Sequence, residues 1–483
     1  MNEYTPFIGL ETHIQLNTKT KAFCACRADS WNDPPNTNIC PVCTGQPGAL
    51  PSPNAEMVRK ALRLCAALHA KINKENYFDR KNYLYADMPG GYQISQNDQP
   101  VGVDGYLDVD MEDGRLIHVR INNLHMEEDA GKTKNEGGVR LIDLNRAGVP
   151  LVEVVTCPDL HSADEAAAFL VQLRQLIRWI GVSEGNMEKA QLRSDVNVSL
   201  SPKGSGIPGR KCEIKNINTI DAVRKAISSE IARQTRELEA GHSIEQWTIE
   251  WDNDAQELRK MRSKENAVDY RYFREPNLMP VLIPDVMIEA VRSEMPELPR
   301  EKRLRFCDQY SLPAYDSKIL TGERDVSEYF EEALSSYGGD PRRVSNWMMN
   351  DILRIMHDNG CSASGLRIRP KDLADIIRMV DDKTINTSTG RSLVNMVQES
   401  GRTPAEIVKE KNLGLVSDEA MIREVCGAVI RENPEEAAAW RAGKETLLSW
   451  FTGQVMRRTR GKAAPKLVSE VLKELLQKSA DSI

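Results

Sequence analysis

No apolar run in this 483-residue chain approaches the roughly 20 residues that a membrane-spanning helix needs, so a helical membrane protein is excluded. The segment Met1 to Gly9 has no basic stretch followed by an apolar one, and no signal peptide is expected. An excess of positive charge is also missing. With 71 acidic against 64 basic residues, the chain is not one coated wholesale by nucleic acid, although local basic patches remain open to it. Ten cysteines are too few for a disulfide scaffold at this length. Six of them (Cys65, Cys157, Cys212, Cys307, Cys361 and Cys426) are scattered singly, as in a reduced intracellular protein, and four are clustered. A cytoplasmic enzyme is expected. The length exceeds what one compact core serves, and two to four domains follow. Internal repeats and low-complexity tracts are absent.

Working phosphate loops are lacking too. Gly204-Ser205-Gly206-Ile207-Pro208-Gly209 fits G-x-G-x-x-G, but it joins two strand-like segments and carries proline where a phosphate-binding helix should start. Ala130-Gly131-Lys132-Thr133 resembles the end of a P-loop, but Met126 replaces the required glycine.

What is present is strand alternation. Ile8, Leu10, Ile14 and Leu16 share one parity, with Glu11 and His13 on the other. Leu192, Val196 and Val198 alternate with Arg193, Asp195 and Asn197. Lys211, Glu213 and Lys215 alternate with Cys212 and Ile214, so the two segments read as an antiparallel hairpin. A helix starts at the capping box Ser162–Glu165 and stops at Gly181, and a second spans 219–240. From about 293 the chain turns to short amphipathic helices. The outline is an α+β body over 1–292, a helical domain over 293–410 and a helical tail over 411–483, with the last helix starting at Pro465.

The residues that carry chemistry begin with Glu127-Glu128-Asp129. This run follows the apolar, β-branched segment 117–124, and carboxylates so placed repel one another unless a divalent cation neutralises them. Glu11 and His13, two apart on one strand, suit a single cation. Together with Arg193, Asp195, Glu213 and Lys215 they describe a sheet lining a phosphoryl-transfer cleft: carboxylates for Mg²⁺, cations for the transferring phosphate. Parity does not choose between Glu127 and Glu128, since a bulge near Asn122-Asn123 swaps their faces. Cys24-x-Cys26 and Cys40-x-x-Cys43 have tetrathiolate zinc spacing, with no open position for catalysis. The segments 79–83 and 91–96 mix cations, aromatics and amides as a base-and-phosphate surface does. Arg457, Arg458, Arg460, Lys462 and Lys466 form a basic stretch suited to an RNA backbone.

Assembled, these residues closely resemble the family of aspartyl/glutamyl-tRNA amidotransferase B subunits. The resemblance runs nearly end to end. It rests on Ile8-Gly9-Leu10-Glu11-Thr12-His13, Phe78-Asp79-Arg80-Lys81-Asn82-Tyr83, Gly91-Tyr92-Gln93-Ile94-Ser95-Gln96 and the run from His125 to Lys132. Further motifs are Asn145-Arg146-Ala147-Gly148-Val149-Pro150-Leu151, Gly185-Asn186-Met187-Glu188, Glu213-Ile214-Lys215-Asn216, Asp269-Tyr270-Arg271-Tyr272-Phe273 and Gly453-Gln454-Val455-Met456. It implies a glutamine synthetase-like cradle that binds ATP and Mg²⁺ and phosphorylates the side-chain carboxylate of Glu on tRNA(Gln) or Asp on tRNA(Asn). Ammonia from an amidase, the large partner in a heterotrimer, then displaces phosphate. A small third protein joins the two large ones, and a non-discriminating aminoacyl-tRNA synthetase is a further implied partner. Carried over by position, Glu11, His13 and Glu128 lead as Mg²⁺ ligands, followed by Glu127, Glu188 and Glu213. Arg193 and Lys215 serve the phosphate, while Asp79, Arg80, Lys81, Tyr83, Ser95 and Gln96 hold the nucleotide. The four thiols match the zinc-bearing branch. Gly90 stands where most members have lysine, and Arg274 and Asn277 where they have Pro and Asp; Cys157 and Ser194 are also atypical.

Overall fold

The computed structural model describes residues 3–215, 217–263, 270–414, 419–459 and 463–477. The chain forms two units, Met1–Pro299 and Arg300–Ile483. The first is α+β around one large sheet; the second is helical.

The sheet has nine strands: β1 (Tyr4–Gln15), β2 (Lys71–Ile72), β3 (Gly102–Asp110), β4 (Leu116–Glu128), β5 (Pro150–Thr156), β6 (Leu192–Pro202), β7 (Cys212–Lys215), β8 (Trp247–Asp252) and β9 (Glu257–Ser263). Their order is β9-β8-β7-β6-β1-β5-β4-β3-β2, antiparallel except for the parallel pair β7–β8. β6 and β7 form the expected antiparallel pair, Asn197 opposite Glu213. The central strands are two-faced because their sequences alternate. Ile8, Leu10, Ile14, Val152, Val154, Val196, Val198 and Ile214 are all essentially inaccessible to water. Each such side chain contributes roughly 1.5–3 kcal/mol of burial.

Helices α1 (Ala55–Ala67), α2 (Ala163–Trp179) and α3 (Ile220–Glu239) cover that apolar side. In α2 the Ser162 hydroxyl caps the Glu165 N–H at 3.1 Å. The Glu165 carboxylate turns back to the His161 N–H at 2.7 Å, one residue earlier than a capping box requires. Phe169, Leu170, Leu173, Leu176 and Ile177 then line the buried stripe. With the apolar side covered, the opposite side of the sheet holds the polar residues. Beside it lie a small sheet containing Asp79–Asn82 and Tyr92–Ser95 and the cysteine loop.

Among the described residues the helical unit has two cores. One gathers Phe306, Phe330, Trp347, Ile352, Leu373 and Leu393. The other gathers Cys426, Phe451, Val455, Val468 and Leu472. Among the described residues no helix is long and apolar enough to cross a membrane.

Candidate metal and phosphoryl-transfer site

Strand register converts the alternating sequences into one polar row. His13 on β1 stands opposite Arg193 on β6 and Glu153 on β5, and Glu153 stands opposite His125 on β4. Glu11 faces Asp195, and Glu127 faces Leu151. His13 Nε2 is 3.3 Å from Glu127 Oε1 and 3.5 Å from Glu153 Oε2. One ligand atom from each of these three residues lies within 4.8 Å of the others, a gap that a divalent cation fills. Glu127 is 1% exposed and its Oε1 has no hydrogen-bond partner. A buried, unsatisfied carboxylate oxygen is costly, and a cation held between Glu127, His13 and Glu153 offsets that cost. The donor set therefore fits a hard divalent metal.

Neighbours hold the row in charge balance. Burial opposes the charge on Glu153, but His13 and His125 outweigh it and keep the carboxyl well below its usual range. His125 Nε2 sits 2.9 Å from Glu153, and its other ring nitrogen is 3.0 Å from Asn123 Oδ1. Ser95 Oγ donates to Glu127 Oε2 at 3.3 Å. Burial lowers the Lys81 pKa, yet the carboxylates Glu127 and Glu153 bring it above the ordinary lysine value.

Further along the same face, Asn197 Nδ2 donates to Glu11 Oε1 at 2.9 Å. Lys215 Nζ bridges Asp195 Oδ2 at 2.7 Å and Glu213 Oε1 at 3.2 Å, and the Thr248 hydroxyl donates to Glu213 Oε2 at 3.2 Å. Arg193 Nη2 donates to Asp129 Oδ1 at 2.9 Å, while Arg193 Nε and Asp129 Oδ2 are buried without hydrogen-bond partners. A cavity of about 1040 Å³ is lined by Lys81, Tyr83, Lys215, Tyr270 and Arg271 among others. Its volume admits more than a single nucleotide base.

Several sequence-derived candidates sit elsewhere. The bulge expected near Asn122-Asn123 is present: Val155 pairs with Asn123 and Thr156 with Ile121, which leaves Asn122 unpaired. It turns Glu127, not Glu128, toward His13. Glu128 instead accepts the Ile94 N–H at 3.0 Å, and burial pushes its carboxyl up to about 7. Glu188 lies exposed in the turn before β6, outside the metal-ligand cluster. Arg80 forms a two-pronged pair with the fully buried Glu275, at 2.5 and 3.0 Å, under the Tyr92 ring. The Asp79 carboxylate accepts the Asn97 N–H at 2.8 Å, and Gln96 accepts the Met126 N–H at 2.9 Å. Their side chains organise the small sheet and its junction with β4. Lys81 and Tyr83 alone of the proposed nucleotide residues line the large cavity. Glu153 and His125 were missed. The signal was there: a lone carboxylate inside the apolar strand Pro150–Thr156.

The four cysteines form the second cluster, with one sulfur from each within 4.8 Å of the others. Cys40 Sγ and Cys43 Sγ are 3.8 Å apart, close to the edge, about 3.8 Å, of a tetrahedron built on ~2.3 Å zinc–sulfur bonds. A hydrogen bond from Cys24 brings the Cys43 thiol down to about 4, whereas burial pushes Cys26 up to about 11. Four thiols this close do not all ionise without a cation among them, and zinc fits that requirement. The fully buried Lys21 adds positive charge: Nζ is 3.5 Å from Cys43 Sγ and donates to Asn38 O at 3.0 Å.

Of the basic tail, Arg460 and Lys462 lie outside the described residues. Arg457 and Arg458 close the helix Leu447–Arg458, with Arg458 paired to Glu432 at 2.7 Å, and Lys466 is exposed at the start of Pro465–Gln477.

The fold and site thus define an α+β protein whose central sheet carries a cluster of carboxylates and imidazole on its polar face, with a separate loop of four clustered cysteines. Residues 6–289 match the family described as GatB/GatE catalytic domain, and residues 328–476 match the GatB domain. The chain belongs to this GatB family. It is 44% identical to the B subunit of the aspartyl/glutamyl-tRNA(Asn/Gln) amidotransferase of Thermotoga petrophila, across 98% of this chain and 99% of the relative. The B subunits of the same description from Persephonella marina (44%, covering 98% and 100%) and Myxococcus xanthus (43%, covering 99% of each) are similarly related.

Proposed function

We propose that this chain is the B subunit of a glutamine-hydrolysing aminoacyl-tRNA amidotransferase, a ligase of protein synthesis. It converts Glu-tRNA(Gln), Asp-tRNA(Asn) or both to the amides in an ATP-dependent reaction. Its catalytic body is a glutamine synthetase-like cradle over 1–292, followed by a helical domain over 293–410 and a tRNA-gripping tail over 411–483. An amidase partner supplies ammonia, and a small third protein completes the heterotrimer. A non-discriminating synthetase supplies the misacylated tRNA, and the site of action is the cytoplasm.

The observation that carries this reading is His13 between Glu127 and Glu153, with Glu127 Oε1 buried and making no hydrogen bond. In the reaction an oxygen of the aminoacyl carboxylate attacks the γ-phosphorus of ATP, the bond to the β–γ bridging oxygen breaks, and ADP leaves. Ammonia then attacks the acyl carbon, phosphate departs, and the amide remains after loss of a proton. His13, Glu127 and Glu153 hold Mg²⁺, with Glu11 beside them. When bound, Mg²⁺ neutralises phosphate charge. Lys81 and Lys215 meet the negative charge of the acceptor and the transferring group. The four cysteines hold a structural zinc.

The test is reconstitution of the whole heterotrimer with each misacylated tRNA. Glu127→Gln is expected to abolish ATP-dependent amide formation while tRNA affinity and tRNA-independent glutamine hydrolysis persist. Unchanged amide formation would remove the metal assignment.

A further inference from the structure

Glu153 reaches the metal-ligand cluster from β5, the strand between β1 and β4. Its Oε2 meets two imidazoles, His13 Nε2 at 3.5 Å and His125 Nε2 at 2.9 Å. The two rings stand differently. His13 belongs to the ligand cluster with Glu127 and Glu153, whereas His125 lies outside it. The His125 ring is engaged at both nitrogens, since Nδ1 is 3.0 Å from Asn123 Oδ1. As a metal ligand Glu153 is ionised and only accepts hydrogen bonds, so the proton between the two residues sits on His125 Nε2.

The backbone fixes this arrangement. His125 stands directly opposite Glu153 in the register of β4 and β5. Leu124 and Met126 on one strand, and Val152 and Val154 on the other, are fully buried, so both strands are anchored on either side of the pair. The bulge completes it. Ile121 is buried on the apolar side, and the extra residue Asn122 sets Asn123, His125 and Glu127 together on the polar side. Ser95 Oγ serves Glu127 Oε2 at 3.3 Å as His125 serves Glu153, so each carboxylate of the cluster has one oxygen tied by its own donor.

Resting on the divalent-cation reading of this face, we infer that His125 is a positioning residue: it donates to Glu153, fixes that carboxylate toward the cation, and is itself oriented by Asn123. Its nitrogens are committed to Glu153 and Asn123, so it acts through Glu153 rather than as a further ligand. A partner that orients a ligating group is worth about 10–100-fold in metal affinity. The order Asn123–His125–Glu153 makes the effect graded. Loss of His125 frees the carboxylate, whereas loss of Asn123 only loosens the ring.

The probe is Mn²⁺, a hard ion suited to carboxylates rather than thiolates, with binding to the full chain followed by electron paramagnetic resonance. His125→Phe keeps a planar ring without the donor and is expected to weaken Mn²⁺ binding about 10–100-fold. His125→Gln, whose amide N–H reaches the place of Nε2, should recover most of that loss. Asn123→Leu should cost less, and should cost nothing further in the His125→Phe background, because the two residues act in one chain. Unchanged Mn²⁺ affinity in His125→Phe overturns the positioning role, and so does an equal loss in His125→Phe and His125→Gln. Should His125→Phe fail to fold, Asn123→Leu decides: wild-type affinity in that variant overturns the inference. If wild type binds no Mn²⁺, or Glu127→Gln binds it as tightly as wild type, the underlying cation reading fails instead.

Discussion

Glu127 and Glu128 are neighbours in sequence and serve opposite sides of β4: Glu127 reaches to 3.3 Å from His13 Nε2, and Glu128 accepts the Ile94 N–H at 3.0 Å. A one-residue bulge at Asn122 decides which carboxylate faces the metal cluster. Glu127→Gln is therefore expected to cost more than about 100-fold in amide formation, since it removes a ligand whose supporting shell alone is worth 10–100-fold. Glu128→Gln keeps the hydrogen bond to Ile94 and is expected to stay within a few-fold of wild type. Steady-state rates of the reconstituted complex distinguish the two, and equal damage from both would show that parity does not govern the site.

The same contrast predicts a pH effect on stability. Glu128 ionises at about 7 in the folded chain, because burial disfavours its charge, against about 4.5 when unfolded. Below 4.5 both states are protonated and the group is neutral in the balance. Between 4.5 and 7 the unfolded state releases the proton first, so stability falls as pH rises, by of order 3 kcal/mol in full. Glu128→Gln removes this loss. Urea midpoints from pH 4.5 to 8 should fall less steeply for the variant, and parallel curves would refute the assignment.

Parity along β1 and β6 made Glu11, His13, Arg193 and Asp195 legible in the sequence alone, because a half-buried strand writes its polar side at every second residue. The cysteine spacing was legible for a similar reason: its ligands are local. Glu153 and His125 were not. Their strands read as apolar, and their role exists only through pairing of β4 with β5 and β5 with β1. The motif Asp79–Tyr83 is divided: Lys81 and Tyr83 line the large cavity, while Arg80 is bonded within the fold. Its charged side chains look like ligand contacts, yet Arg80 answers Glu275, nearly two hundred residues away. Sequence shows which residues are polar; only long-range pairing shows which are already satisfied.

Zinc binding should depend on Lys21 as well as on the thiols. A tetrathiolate zinc carries net negative charge, and Lys21 is fully buried with Nζ 3.5 Å from Cys43 Sγ. Cys40→Ser is expected to eliminate the roughly one zinc per chain seen by metal analysis. Lys21→Met should retain zinc but bind it about 10–100-fold more weakly in a competing chelator. Wild-type affinity in Lys21→Met would show that its charge does not contribute.

The basic tail makes unequal predictions for its cations. Arg458 is already paired with Glu432, whereas Lys466 is exposed at the start of the last helix. Removing a phosphate contact lowers the slope of log affinity against log salt by about 1. Lys466→Ala is expected to show that change in tRNA binding, and Arg458→Ala to show less, because Glu432 competes for its charge. Deleting residues from 411 onward removes the separate core around Phe451 and Leu472 and should weaken tRNA binding most. Glutamine hydrolysis without tRNA should continue, since the amidase partner carries it out. Unchanged tRNA affinity after the deletion would reduce the basic stretch to a solvated helix face.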